Sequence, residues 1–127
     1  MDLCNAIQKH AEWKFKFRNA IHANETLDAA AISKDNNCEV GKWLYGEAKT
    51  LYGRRPIHAK CLAAHAAFHV EAGKVAVAVN AKKVDETERM LSAGSGFSEA
   101  SKKVGVALIE LKVEIQVLGA QAGLGTR

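Results

Sequence analysis

Apolar residues recur along this chain at spacings of three, four and seven, which is the period at which side chains share one face of an α-helix. The clearest run consists of Phe97, Val104, Leu108, Leu111, Ile115 and Leu118. Only one proline occurs in 127 residues, and the helix-favouring residues Ala, Leu, Lys and Glu are abundant. The pattern predicts an all-α fold of one domain.

The apolar periods and the breakers between them predict where the helices lie. Five helical segments are expected: Asp2 to about Ala31, Cys38 to Tyr45, Pro56 to about Asn80, Lys82 to Ser92, and Phe97 to about Gly119. The expected architecture is an antiparallel, four-helix-bundle-like domain with an additional short helix that carries Cys38. Residues 1–122 form this single domain in the prediction, and residues 123–127 a disordered tail.

Charge and cysteine content narrow the class of protein. The formal net charge of +4 is modest and its lysines and arginines are scattered, so the sequence gives no indication of a nucleic-acid partner. The sequence shows no signal-peptide pattern, and we expect no apolar run of the roughly 20 residues that span a bilayer. Three cysteines form no disulfide framework. We therefore expect a cytoplasmic domain without membrane contact.

Three histidines lie inside apolar stripes. His10 belongs to the stripe of the first helix, and His65 and His69 belong to the stripe of the third, which also contains Leu62, Ala72, Ala76 and Val79. Burying an imidazole without a partner costs on the order of 1 to 3 kcal/mol, so three of them need a common partner. A zinc ion bound by three neutral imidazoles and one thiolate is such a partner.

Cys38, at the start of the short helix, is the natural fourth ligand because a helix N-terminus favours the thiolate. The H-x-x-x-H pair His65 and His69 is weak evidence alone, since five histidines would produce that spacing by chance roughly one time in six. His58 is expected at or near the surface, but it lies seven residues before His65 and could approach the same face. Cys61 lies four residues before His65, and both side chains stay open as alternative ligands. Taken singly, His10 and Cys38 also suit ordinary core positions.

Three blocks of this sequence resemble the chemoreceptor zinc-binding domain family. The blocks are His10-Ala11-Glu12-Trp13-Lys14, Cys38-Glu39-Val40-Gly41-Lys42-Trp43 and His65-Ala66-Ala67-Phe68-His69, in the family's order. The resemblance extends over essentially the whole chain. It differs from the family pattern in having His58 where an apolar residue is expected and in the additional thiol of Cys61.

The resemblance implies a helical bundle, commonly dimeric, that binds one zinc ion per chain through His10, Cys38, His65 and His69. Trp13, Gly41 and Trp43 would then support or pack around the site. Family members regulate bacterial chemoreceptors and diguanylate cyclases and are associated with sensing zinc or hypochlorous acid. The implied function is a sensory module without catalytic activity, attached to or associated with a signalling output domain.

A second apolar row on the last predicted helix indicates a homodimer. Val106, Ile109, Val113 and Val117 lie on another side of the helix than its core seam, and a small bundle rarely buries two faces of one helix. A homodimer formed through such helical faces would cover the row.

Three other classes of protein compete with the zinc sensor. A hemerythrin-like di-iron, oxygen-binding bundle would need bridging carboxylates beside the histidines, and none lies on the predicted stripes. A hydrolytic zinc enzyme would need an open coordination position and a general base. A metal-free interaction bundle would leave the buried imidazoles unexplained.

Overall fold

The computed structural model describes residues 1–125, with side chains described through residue 120. Eight α-helices are present in this range: α1 Leu3–Ala11, α2 Trp13–His22, α3 Ala29–Ile32, α4 Glu39–Tyr45, α5 Glu47–Tyr52, α6 Pro56–Asn80, α7 Val84–Leu91 and α8 Gly96–Gly125. The described residues contain no β-strand. The prediction of an all-α helical bundle is confirmed.

The first predicted helix is divided into shorter pieces. Asp2 caps α1 as expected, because its carboxylate accepts a hydrogen bond from the Asn5 amide at 3.1 Å. The chain turns at Glu12 between α1 and α2, and α2 ends at His22. Asn24 then adopts a left-handed φ of 58°, which asparagine tolerates and which stops a right-handed helix. The prediction of one helix to about Ala31 is therefore wrong.

Helix α6 is the central element of the bundle. It begins at Pro56 and ends at Asn80, as predicted, and it packs against α2, α3, α4, α5, α7 and α8. Because it is covered on several sides, its sequence is apolar almost all round. By length and composition alone α6 could cross a membrane, contrary to the expectation from sequence, but half of its most apolar window is buried within the fold.

Helix α8 lies along α6 and buries the predicted seam. Phe97, Val104, Leu108 and Leu111 are buried, whereas Ile115 is half-buried. The helix continues past Gly119 to Gly125, since this segment contains no proline and several helix formers. Residues 123–125, predicted as tail, thus belong to α8. The rest of the predicted tail, residues 126–127, lies outside the described residues.

The segment between α3 and α6 positions Cys38. The loop of residues 33–38 crosses α6 at Gly73, where an added Cβ would lie 2.6 Å from the Ser33 Cβ. Cys38 is the N-cap of α4, as the predicted short helix requires. A further short helix, α5, follows directly after Gly46 and was not predicted.

Candidate metal centre

Four side chains from three parts of the chain meet at one point of the bundle. They come from α1 (His10), from the N-cap of α4 (Cys38) and from consecutive turns of α6 (His65 and His69). One ligand atom of each lies within 4.8 Å of the other three. The structure thus brings together the four residues that the sequence proposed as ligands.

The distances within this cluster suit a single tetrahedral ion. The Nε2 atoms of His65 and His69 are 3.1 Å apart, and the Cys38 Sγ lies 3.2 Å and 3.6 Å from them. Zinc bound at about 2.0 to 2.3 Å in tetrahedral geometry places its ligand atoms about 3.3 to 3.7 Å apart. The ligand atoms of Cys38, His65 and His69 thus match a zinc shell to within a few tenths of an ångström, and that of His10 lies within 4.8 Å of each of them.

Backbone carbonyls orient two of the imidazoles. The Nδ1 of His10 donates to the Ala6 carbonyl oxygen at 2.8 Å, and the Nδ1 of His69 donates to the Ile32 carbonyl oxygen at 2.8 Å. Because a carbonyl only accepts hydrogen bonds, each Nδ1 carries the proton and each Nε2 keeps its lone pair. The His10 Nε2 is buried and has no hydrogen-bond partner, which a metal ion would supply.

Burial also keeps His10 and His65 in the neutral form that binds metal. Desolvation, with smaller effects from the neighbouring His69 and His10, lowers the pKa of His65 to about 3. Desolvation likewise lowers the pKa of His10, although its bond to the Ala6 carbonyl opposes the shift. Protons therefore compete poorly for these nitrogens.

Cys38 is held by the first turn of α4. Its Sγ accepts a hydrogen bond from the Gly41 amide at 3.4 Å, and a helix N-terminus stabilises a thiolate. A Cβ at position 41 would overlap the carbonyl oxygen of Asp35, so only glycine fits there. Tyr45 secures the same loop by donating to the Asp35 carboxylate at 2.5 Å. The Gly41 amide thus contacts the Cys38 sulfur directly.

The two alternative ligands lie elsewhere. His58, predicted at or near the surface, is buried, and its Nε2 donates to the Leu44 carbonyl oxygen of α4 at 2.8 Å. Cys61 donates to the Ala107 carbonyl oxygen of α8 at 3.1 Å, and burial raises the pKa of its thiol to about 11. Both side chains join helices, so the geometry does not support either as a substitute ligand.

The two tryptophans take different positions. Trp13 packs on Phe17 with ring centroids 5.2 Å apart and lines a cavity together with His10. Trp43 faces Tyr52 with centroids 6.5 Å apart, so it packs α4 on α5. Trp13 is the one that borders the site.

Sequence reasoning did not find the carbonyls of Ala6 and Ile32, because every residue carries a carbonyl and its partner depends on tertiary structure. Nor did it find the bond between Tyr45 and Asp35. Their spacing of ten residues on a loop and a helix gives no periodic signal.

The donor set distinguishes between kinds of metal centre. In the part of the chain that the structure describes, the four-residue group contains no carboxylate. A di-iron centre needs bridging carboxylates, whereas a thiolate with three imidazoles is typical of closed zinc sites. The fold and site together define a helical bundle built to hold one zinc ion.

Comparison with known proteins agrees with this class. The family model described as "Chemoreceptor zinc-binding domain" matches residues 10–76, which is more than half of the 127 residues and includes all four clustered side chains. The chain belongs to this family. Searches of curated proteins and of solved structures each give no match.

Proposed function

We propose that this chain is a regulatory zinc domain of bacterial signal transduction that binds one zinc ion through His10, Cys38, His65 and His69. The observation that carries the proposal is the convergence of one nitrogen from each of three imidazoles and one thiol sulfur within 4.8 Å. Two of those imidazoles are already fixed by backbone carbonyls. Bound zinc would supply a structural cross-link between α1, α4 and α6.

One input to the domain is zinc itself. The ligands come from separate segments, so binding joins the N-terminal helix and the Cys38 turn to the central helix. The free energy of zinc binding would therefore add to the folding stability of the segments that the ion joins. Because burial lowers the pKa of His10 and of His65, these two imidazoles have few protons to lose when the metal binds.

A second input is oxidation of Cys38. The three histidines are almost fully buried, whereas Cys38 is half-buried and so the most accessible member of the cluster. Hypochlorous acid would oxidise the thiolate by two electrons, forming an S–O bond to give sulfenic acid and releasing chloride. The modified side chain would leave the cluster, and α4 would move relative to α6.

The family and the surface support a proposal for the biological context. We place the domain in the cytoplasm, as part of or in association with a chemoreceptor or a diguanylate cyclase that provides the output. The row Val106, Ile109, Val113 and Val117 is about half exposed on α8, which supports a homodimer through this face. Four protein ligands leave no open coordination position, so we propose regulation and no catalysis.

Metal analysis by mass spectrometry on protein purified without added metal tests the proposal. We expect about one zinc per chain in the wild type, and loss of most of it in Cys38→Ala and His65→Ala. Cys61→Ser and His22→Ala are matched controls, since Cys61 bonds the Ala107 carbonyl and His22 is exposed beside Glu88. Both controls should retain zinc.

Other results would point elsewhere. Two irons per chain would indicate the oxygen-binding bundle, and folded wild-type protein without any metal would indicate a pure interaction module. Zinc retained by Cys38→Ala but lost from Cys61→Ser would show that the cysteine assignment is wrong. If zinc is present, its release by hypochlorous acid in the wild type then tests the oxidant input.

A further inference from the structure

A cavity of about 320 Å³ opens beside the metal centre. It is lined by three of the four clustered side chains, His10, Cys38 and His69, while His65 does not line it and is fully buried. Any small molecule that reaches the Cys38 sulfur from this side must therefore enter the cavity. Its volume would hold a molecule of several heavy atoms but no folded partner.

Two lysines line this cavity. Lys9 on α1 and Lys16 on α2 form no ion pair within the described part of the chain. The Lys16 Nζ lies 4.8 Å from the centre of the Trp13 ring, a cation–π contact that fixes one charge on the wall. Free ammonium groups at a partly enclosed surface attract anions and raise their local concentration.

Two carboxylates, those of Asp2 and Glu39, also line the cavity. Their two negative charges equal the two positive charges of the lysines in number. Asp2 is engaged in capping α1, where its Oδ1 accepts from the Asn5 amide. Glu39 is exposed in the first turn of α4. A zinc ion with one thiolate and three neutral imidazoles keeps a net positive charge, so the cavity with the metal centre is positive overall.

We propose that this cavity is the entrance through which small molecules reach Cys38, and that Lys9 and Lys16 make it selective for small anions over neutral molecules of the same size. The proposal refines the oxidant input described above for its anionic form, hypochlorite, the conjugate base of hypochlorous acid, and rests on that input only for its biological use. Lys9 and Lys16 are specificity-determining residues in this view, and neither touches the metal.

Two alkylating reagents of nearly equal size test the selectivity. Iodoacetate is an anion and iodoacetamide is neutral, and with both the Cys38 sulfur forms an S–C bond as iodide leaves. Because the same thiolate attacks both reagents, a change in the thiolate fraction of Cys38 alters both rates by the same factor and cancels in their ratio. The measurement uses zinc-loaded protein that carries Cys4→Ser, because the exposed Cys4 would also react. Peptide mass spectrometry follows the modification of Cys38 over time.

The expected result is a lower iodoacetate-to-iodoacetamide ratio, by about threefold, in the double variant Lys9→Gln/Lys16→Gln. Lys102→Gln, which changes an exposed lysine on α8, should leave the ratio unchanged. Removing the nearby carboxylate with Glu39→Gln should raise the ratio. In about 1 M salt the rate ratios of all variants should become equal, because the screening length falls to about 3 Å.

An unchanged ratio in the double variant would overturn the selectivity. Because zinc coordination itself slows alkylation of a thiolate, the entrance is tested on folded, metal-free protein, and resistance of Cys38 to both reagents there would overturn it. Zinc content measured on the same samples separates this inference from the proposed function. One zinc per chain with an unchanged ratio would contradict the inference alone. A lowered ratio in protein that binds no zinc would support the entrance and contradict the proposed zinc function.

Discussion

The Nδ1 of His69 lies 2.8 Å from the carbonyl oxygen of Ile32, the last residue of α3. The bond connects a proposed metal ligand on the central helix to a four-residue helix that is too short to be stable alone. Fixing the other nitrogen of His69 on a metal would therefore also restrain α3.

Hydrogen exchange can detect this connection. The amides of Ile32 and Ser33 bond within α3 to the carbonyls of Asp28 and Ala29. We expect zinc to slow their exchange at least about tenfold relative to chelator-treated protein, because local opening of α3 must then break the restraint. Helix α7, which contains none of the four clustered residues, is the internal control. Equal slowing in α3 and α7 would indicate global stabilisation without a specific connection.

The metal-free protein should lose stability as the solution becomes acidic. The pKa of His65 is about 3 in the folded protein and about 6.5 when unfolded, so the unfolded chain binds more protons between these values. The stabilising contribution is complete above pH 6.5 and is lost as the pH falls toward 3. Within that window His65 contributes a slope of about 1.4 kcal/mol per pH unit.

Urea unfolding of wild type and His65→Leu, both metal-free, isolates this slope. The wild type should lose about 1.4 kcal/mol more than the variant between pH 5.5 and pH 4.5. Carboxylates that titrate in this range are the same in both proteins, so their effects cancel in the difference. If the free energies of unfolding of the two proteins changed equally with pH, the pKa of His65 would not be lowered by burial.

Two glycine substitutions separate a close approach from ordinary helix propensity. Gly41→Ala places a Cβ on the Asp35 carbonyl oxygen, so the 33–38 loop must move and carry Cys38 with it. We expect a loss of about 3 kcal/mol or more in the free energy of unfolding and weaker zinc binding. Chemical denaturation and zinc titration measure both.

Gly105→Ala is the matched control. Gly105 lies inside α8, and a Cβ there would meet no atom within 4 Å. Alanine should stabilise the helix by about 0.5 to 1 kcal/mol and leave zinc binding unchanged. If both substitutions were equally harmless, the loop would not depend on Gly41 as described.

Sequence reasoning located the four clustered residues because burial of three histidines shows in the helical period and Cys38 begins a segment with a clear stop at Gly46. Helix α6 was placed correctly since Pro56 begins it without losing a hydrogen bond. The turn at Glu12 was missed, because the apolar stripe continues across it. Helix α5 was missed as well, since a six-residue helix spans too few turns to show a period.

The exposed row on α8 gives a prediction about assembly. Ile109 and Val113 are each about half exposed, and Val106 borders a groove that α6 lines with Ala63 and Ala67. A second copy would cover this apolar surface. We expect the wild type to form a dimer through this surface at micromolar concentration. Ile109→Lys/Val113→Lys would place two charges in the proposed interface, so the double variant should be a monomer.

Sedimentation velocity measures the change in assembly, and Val84→Lys serves as the control because Val84 is similarly exposed on α7. The charged double variant should keep its helical content and its zinc, because both residues are about half exposed and neither belongs to the buried core or to the four clustered side chains. A double variant that stays dimeric would move the interface to another surface. Phe15 on α2, which is 62% exposed, would then be the next residue to replace.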